Sequence, residues 1–268
     1  MKFSIPTNWD NGLVTNVVKD GIDSFYGKLR GDYIGGGRAE YAIPSVSREK
    51  AKQHIKLIHG YNLKFNYLLN SVCIGNIEYS RRGQRRIRKL LDWLIEAGVD
   101  SVTIAIPYLA EIVKKYYSKI SVNVSLCANV CHPFQVKYWE DLGAEEITLS
   151  PWLVNRDFKL LRRIRKAANC KIQLYANCLC LTGCPFFYYH YAMVSHSIIN
   201  NSDGNNFFID YCKYKCMFYR NKDPKKYLSS VWIRPEDLAY YENEGIDKIK
   251  LGDREAMTGY ILRVVDAY

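Results

Sequence analysis

The sequence predicts a (β/α)8 TIM-like barrel, an α/β fold with a cysteine-rich insertion between its seventh and eighth strands. Three observations predict it. Short strand-like runs alternate with longer helix-like ones along the whole chain, and eight strands joined by helical crossovers must return across one parallel sheet. The length of 268 residues is close to the ~250 that such barrels take as one domain. No heptad, solenoid repeat or low-complexity linker divides the chain, so residues 1–268 read as one domain with 178–231 as the insertion.

Phe3 to Pro6 reads as the first strand and Gly12 to Lys19 as the helix behind it. Ser24 to Lys28 is the second strand, followed by a loop holding Gly35, Gly36, Gly37 and Arg38. Ser47 caps a helix running to about His59, with Glu49 and Lys50 in its first turn, and Lys64 to Leu69 is the third strand. Arg82 to Ala97 forms a helix that sets Leu90, Leu91, Leu94 and Ile95 on one face and is closed by Gly98. Ser101 to Ile106 and Ser121 to Leu126 are the fourth and fifth strands, with a helix from Leu109 to Tyr117 between them. The rhythm continues through a helix Pro133 to Leu142 ended by Gly143, a strand Glu146 to Ser150, a helix Asp157 to Ala168 and a strand Lys171 to Tyr175. After the cysteine region, Arg234-Pro235-Glu236-Asp237 opens a helix through Tyr241. Asp247 to Leu251 is the eighth strand and Ala256 to Ala267 the closing helix.

Five of the nine cysteines fall between Cys178 and Cys216. Cys180-x3-Cys184 and Cys212-x3-Cys216 have metal-ligand spacing, and Gly183 with Pro185 gives the first pair a chain reversal and a stiff exit. These four are taken as ligands. Cys178 is the alternative to Cys180, because side chains two apart on an extended chain point the same way. An iron–sulfur cluster, structural zinc, disulfides and plain buried thiols all remain open on spacing alone.

The net charge of +11 and pI near 9.1 favour an anionic small molecule or RNA as substrate, and leave room for an acidic protein partner or subunit. The excess is concentrated: Arg81, Arg82, Arg85, Arg86, Arg88 and Lys89 crowd one helix, and Arg162, Arg163, Arg165 and Lys166 another. A solvated helix face is the bland account of both. Met1 to Gly12 has no apolar signal region and no run approaches the ~18 apolar residues of a membrane helix. A cytoplasmic protein with no membrane insertion is expected, where thiols stay reduced and cysteine clusters serve metal or catalysis.

In a barrel, chemistry belongs at the carboxyl ends of the strands. Those positions hold Thr7, Asn8, Tyr26, Asn70, Cys127, Asn129, Ser150, Asn177 and the run from Lys250 to Arg254, with the cysteine group at the same end. Arg38, Lys250 and Arg254 suit charge-assisted bonds to an anionic substrate between them and the cysteines. Ordinary ion pairs with Glu236, Asp237 or Asp253 are the competing account. His190, six residues past Cys184, is either a satisfied core histidine or a hydrogen-bond donor to cluster or substrate.

Asn177, Cys180-x3-Cys184-Pro185, His190, Cys212-x3-Cys216, Ile233-Arg234-Pro235-Glu236-Asp237-Leu238 and Gly245-Ile246-Asp247-Lys248-Ile249-Lys250-Leu251-Gly252-Asp253-Arg254 together resemble the collagenase-like U32 peptidase family. The opening Gly21 to Gly27 and Gly36-Gly37-Arg38 fit it as well, so the resemblance spans nearly the whole chain. It implies a barrel carrying a 4Fe-4S cluster on four cysteines. It also implies oxygen-independent hydroxylation or a related oxidation, since relatives hydroxylate transfer RNA, ribosomal RNA or ubiquinone precursors, some with prephenate as oxygen donor and some as paired subunits. Here the first cysteine spacing is shorter than in the RNA-modifying members and the chain stops at Tyr268, so the substrate does not carry over.

Two alternatives accompany that reading: peptide hydrolysis, as the family name proposes, and a non-catalytic iron–sulfur subunit of a complex. A radical S-adenosylmethionine site is excluded, because Phe187 stands where a third cysteine would be needed. There is no serine hydrolase elbow and no His-Glu-x-x-His helix. The only nucleophile and base pairs for a peptidase are Cys127 with His132, or Cys178 with His190. Cys127-x3-Cys131-His132 offers a second metal site or a gate to the first, but buried thiols at the barrel rim are the commoner account.

Overall fold

The computed structural model describes residues 1–197 and 208–268. Residues 198–207, which belong to the expected 178–231 insertion, lie outside the described residues.

Eight parallel strands close in chain order: β1 (Lys2–Pro6), β2 (Ile22–Gly27), β3 (Lys64–Leu69), β4 (Ser101–Ile104), β5 (Ser121–Val124), β6 (Glu146–Thr148), β7 (Lys171–Tyr175) and β8 (Lys248–Lys250). The seam pairs Phe3 with Ile249 and Ser4 with Lys250, which makes the sheet a barrel with no free edge. The helices of the first half are α1 (Asn11–Val17), α2 (Arg48–Gly60), α3 (Arg81–Glu96) and α4 (Pro107–Tyr116). After β5 come α5 (Pro133–Asp141), α6 (Pro151–Val154) and α7 (Phe158–Ala167). Between β7 and β8 stand α8 (Phe187–His196), α9 (Tyr211–Lys222), α10 (Lys225–Leu228) and α11 (Leu238–Asn243), and α12 (Thr258–Ala267) closes the chain.

Local chemistry sets the helix ends. Ser47 accepts the Lys50 amide at 3.2 Å and Ser80 the Gly83 amide at 2.9 Å, satisfying donors that a helix start leaves free. Gly98 and Gly143 end their helices at φ of 79° and 87°, where a side chain would be strained. Ile95 departs from expectation: on α3 the buried stripe is Ile87, Leu90, Leu91 and Leu94, and Ile95 is 41% exposed. It lies one residue, or about a quarter turn, beyond the stripe and so faces solvent.

Alternation along the strands separates two chemistries. Phe25, Phe65, Leu69, Val102, Val122, Ile147, Ile172 and Ile249 face outward and pack with Leu13, Ile55, Leu94, Val113, Ile164 and Ile261 of the helices in one core. The alternate positions face the barrel axis, and at its base they are polar. Thr103 donates to Asn66 at 2.8 Å, Thr148 to Gln173 at 2.8 Å, and Gln173 to Glu146 at 3.0 Å. Lys248 is held by Glu146 at 2.7 Å and Asp23 at 2.5 Å. Each polar group there has a partner, which is what makes such an interior affordable in place of a greasy one. Among the described residues no helix is long and apolar enough to cross a membrane.

Candidate functional site

The loop after β2 is built around one buried carboxylate. Asp32 takes the Lys28 ammonium and the Tyr67 hydroxyl (2.7 Å) on one oxygen, and the amides of Ile34 (3.1 Å) and Gly35 (3.2 Å) on the other. The loop is thereby laid over the barrel mouth with Gly36 and Gly37 against Asn70. A Cβ at Gly36 would stand 2.8 Å from Asn70 Oδ1, and one at Gly37 2.9 Å from Cys127 Sγ, so any side chain there would displace Asn70 or Cys127. Asn70 accepts the Gly37 amide at 3.3 Å and donates to Ser125 at 3.2 Å. Arg38 is the residue this arrangement delivers.

Arg38, Lys250 and Arg254 line one cavity of about 50 Å³ at the mouth, together with Tyr26, Asn70, Cys127 and Tyr175. Arg38 donates to Glu255 at 3.0 Å and remains about a third exposed, at 36%. The competing pairs with Glu236, Asp237 and Asp253 do not form. Arg254 is buried, meets no carboxylate at ion-pair distance among the described residues, and its Nη1 has no hydrogen-bond partner. Burial holds its guanidinium below the usual value, with Arg38 adding to the effect. Lys250 points inward from β8 with its ammonium 4.0 Å from the centre of the Tyr26 ring, and the Tyr26 hydroxyl is tied to the Leu251 carbonyl at 2.6 Å. Burial pushes the Lys250 ammonium down to about 8, Glu146 opposing and Arg254 assisting. Gly252 allows the close: a Cβ there would lie 1.9 Å from the Tyr175 hydroxyl.

A second cavity of about 270 Å³ adjoins the first, and Arg38, Tyr175 and Tyr191 line both. Cys178, Cys180, Cys184, Cys212 and Cys216 all open into it, and all are free thiols. The loop after β7 is pinned where Gly183, at φ 59°, donates to the Trp152 carbonyl (3.2 Å), and where Val231 donates to the Cys180 carbonyl (3.2 Å). Asp210 caps α9 through the Lys213 amide at 3.2 Å, which sets Cys212 and Cys216 one turn apart on the same face. A hydrogen bond from Cys178 holds Cys180 down at about 7 against burial, helped by Arg38 and Arg220. Cys184 is raised, by burial first and then by its neighbours Cys180 and Cys216.

Among the described residues no three His, Cys, Asp or Glu side chains are gathered as ligands of a single ion. Thiols are the soft donors that iron–sulfur clusters take, and five of them line a cavity larger than one ion needs, so the donor type suits such a group.

His190 lines the cysteine cavity with Nε2 3.5 Å from Asp210, and burial lowers its pKa while Asp210 opposes. Neither expected nucleophile and base pair is made. Cys127 is pushed up to about 11 by burial and its side-chain neighbour is Asn70 at 3.7 Å. His132 is spent on the Phe134 amide at 3.1 Å as the cap of α5. No cysteine hydrogen-bonds a histidine among the described residues, Cys178 and His190 included. Cys131 and His132 line neither cavity. Glu255, Tyr191 and Arg220, which do line them, have no sequence signal beyond their proximity to Arg254, His190 and Cys216.

The sequence model described as "Peptidase family U32" matches residues 15–268. The chain is 32% identical over 237 residues to an uncharacterized protease of Methanocaldococcus jannaschii, MJ1657, covering 88% of this chain and 69% of that protein. The solved structure of the U32 peptidase Mk0906 aligns with a TM-score of 0.69 at 21% identity over 94% of each chain. A phosphoribosyl anthranilate isomerase from Thermus thermophilus, at 10% identity and a TM-score of 0.52 over 99% of this chain and 96% of that one, shares the barrel alone.

Proposed function

The chain belongs to peptidase family U32, and from that premise we propose that it is an iron–sulfur enzyme that oxidises or hydroxylates an anionic organic or RNA substrate without molecular oxygen. Cys180, Cys184, Cys212 and Cys216 would hold a 4Fe-4S cluster, with Cys178 beside the first of them. The observation that carries the reading is the adjoining of two cavities, one lined by five thiols and one by three cations against the carboxylates Asp253 and Glu255, with Arg38 in the wall of both.

When bound, the cluster supplies one-electron chemistry next to the substrate pocket. The remaining work falls to side chains of the chain itself. Among the described residues, Arg254 offers an unused guanidinium nitrogen, Lys250 an ammonium without a carboxylate at ion-pair distance, and Arg38 a cation shared with Glu255. An anionic group seated among them would remove the cost of leaving Arg254 and Lys250 buried and unpaired, which is a reason for the site to select anions. Tyr175 and Tyr191 wall the passage between the cavities. His190, with Asp210 behind it, faces the thiol side as a hydrogen-bond donor.

The test is anaerobic purification with iron and sulfide analysis. About four of each per chain are expected, lost in Cys184→Ala and Cys212→Ala. Loss in Cys178→Ala with retention in Cys180→Ala would move the first ligand by two residues. A colourless protein with one zinc would end the proposal. The name of the archaeal relative favours a second reading, peptide hydrolysis. Hydrolysis of a collagen-type or casein substrate by metal-stripped protein, abolished by Cys127→Ala or Cys178→Ala, would establish it in place of the first.

A further inference from the structure

We infer that Lys250 is an imine-forming lysine: its ε-amine adds to the carbonyl of a small 2-oxo acid whose carboxylate is held by Arg254 in the barrel mouth. The inference rests on the anion site proposed above and on nothing about the cluster. Two inward lysines of β8 show the contrast that motivates it. Lys248 is spent on Asp23 and Glu146. Lys250, two residues nearer the mouth, has no carboxylate at ion-pair distance among the described residues and lies against the flat face of Tyr26, 8% exposed, in the wall of the cavity.

A lysine kept only to bind an anion is best left fully charged. Here burial works the other way, and an ammonium held at about 8 is neutral in roughly a tenth of molecules at pH 7. The charged or titratable groups around it are Glu146, Lys248, Cys127, Arg254, Arg38, Tyr26, Tyr175, Tyr191, Asp253 and Glu255; of these Glu146 and Cys127 favour the charged form and Arg254 and Lys248 the neutral one. The cavity of about 50 Å³ admits roughly four waters' worth of ligand, which accommodates the carboxylate and carbonyl of a 2-oxo acid. Arg254 supplies the unused donor for that carboxylate from the same wall.

The step balances without a redox partner. The neutral nitrogen forms a bond to the carbonyl carbon, the carbonyl electron pair moves to oxygen, and a proton passes from nitrogen through water to that oxygen. The hydroxyl then takes a further proton from solvent and leaves as water while the nitrogen lone pair forms the C=N bond, which leaves the imine protonated. The protonated imine makes the adjacent C–H acidic, so the acid becomes a carbon nucleophile or exchanges its hydrogens with solvent.

The experiment treats the full chain with pyruvate and cyanoborohydride, maps modified lysines by peptide mass spectrometry, and measures pyruvate binding separately by calorimetry. A single reduced pyruvyl group on Lys250 is expected, formed faster as pH rises toward about 8 and absent in Lys250→Met. Arg254→Gln should slow labelling by pyruvate roughly ten- to hundredfold, the loss of one charge-assisted bond, and slow labelling by propionaldehyde, which has no carboxylate, much less, through the loss of the charge that favours the neutral amine alone. The Arg254 comparison stands even if Lys250→Met fails to fold. Pyruvate binding with Lys250 unmodified would overturn the imine and leave the anion site standing. Labelling spread over exposed lysines would overturn the imine too, and absence of both binding and labelling would remove the anion site with it.

Discussion

At the scale of the residue, the proposed site uses two buried cations, Arg254 and Lys250, that meet no carboxylate at ion-pair distance among the described residues. Arg254 is a buried cation with an orphaned nitrogen, so Arg254→Met should hold or raise the melting temperature while weakening binding of a carboxylate ligand roughly ten- to hundredfold. Unfolding on that substitution would show a structural ion pair instead. His54 gives a pH test away from the site. Its ring bridges Thr7 Oγ1 and Asn11 Oδ1, each at 2.7 Å, and burial lowers it from 6.5 to about 4, with Asp10 opposing. The unfolded chain then binds the extra proton between pH 6.5 and about 4. This contribution is therefore complete above the upper value and is lost as pH falls through the lower, at most about 3 kcal/mol. Urea midpoints across that range should fall with acid in the parent and be flatter in His54→Gln.

At the scale of the element, α3 depends on a glycine that its sequence hides. A Cβ at Gly83 would stand 1.7 Å from the Ile77 carbonyl oxygen, in backbone that has no rotamer to give. Gly83→Ala should therefore destabilise by about 1–3 kcal/mol in urea titration despite alanine's better helix propensity. A gain in stability would mean that the 77–79 turn moves freely. The basic helices separate in the same way. On α7, Arg162 is bound to Glu244 at 2.8 Å and Arg165 to Asp247 at 2.9 Å, so half of that run is ion-paired to the neighbouring elements. On α3, Arg86 and Arg88 lie over Tyr33 and Tyr116 at 4.9 and 4.5 Å, and no arginine of the run meets a carboxylate among the described residues.

For the whole molecule, a net charge of +11 borne partly by unpaired arginines of α3 makes a polyanion the partner to test. If RNA binds there, replacing Arg81, Arg82, Arg85 and Arg86 by Gln should lower the slope of log affinity against log salt by roughly three, with each phosphate contributing about 0.7–0.9. A slope unchanged by the four replacements would return this helix to a solvated face.

Eight strands, their order and most helix starts were legible in the sequence, because periodicity, caps and chain-ending glycines are local and each is written within a few residues. Lys64–Leu69 and Lys171–Tyr175 emerge with the expected bounds. The helices α8, α9 and α10 were not legible, since aromatic and cysteine residues there serve a cavity and leave no clean apolar stripe. For the site, the thiols and the three cations were legible as residue types at strand ends. What only the tertiary structure decided is which of them are free. Lys248 and Lys250 are two residues apart on one strand and read alike, yet one meets two carboxylates and the other an aromatic face and a cavity. Arg38 pairs with Glu255, a residue 217 positions away, and Arg254 with no carboxylate among the described residues. Partners of that kind are set by closure of the barrel, which brings distant strand ends to one mouth, and no local pattern encodes them.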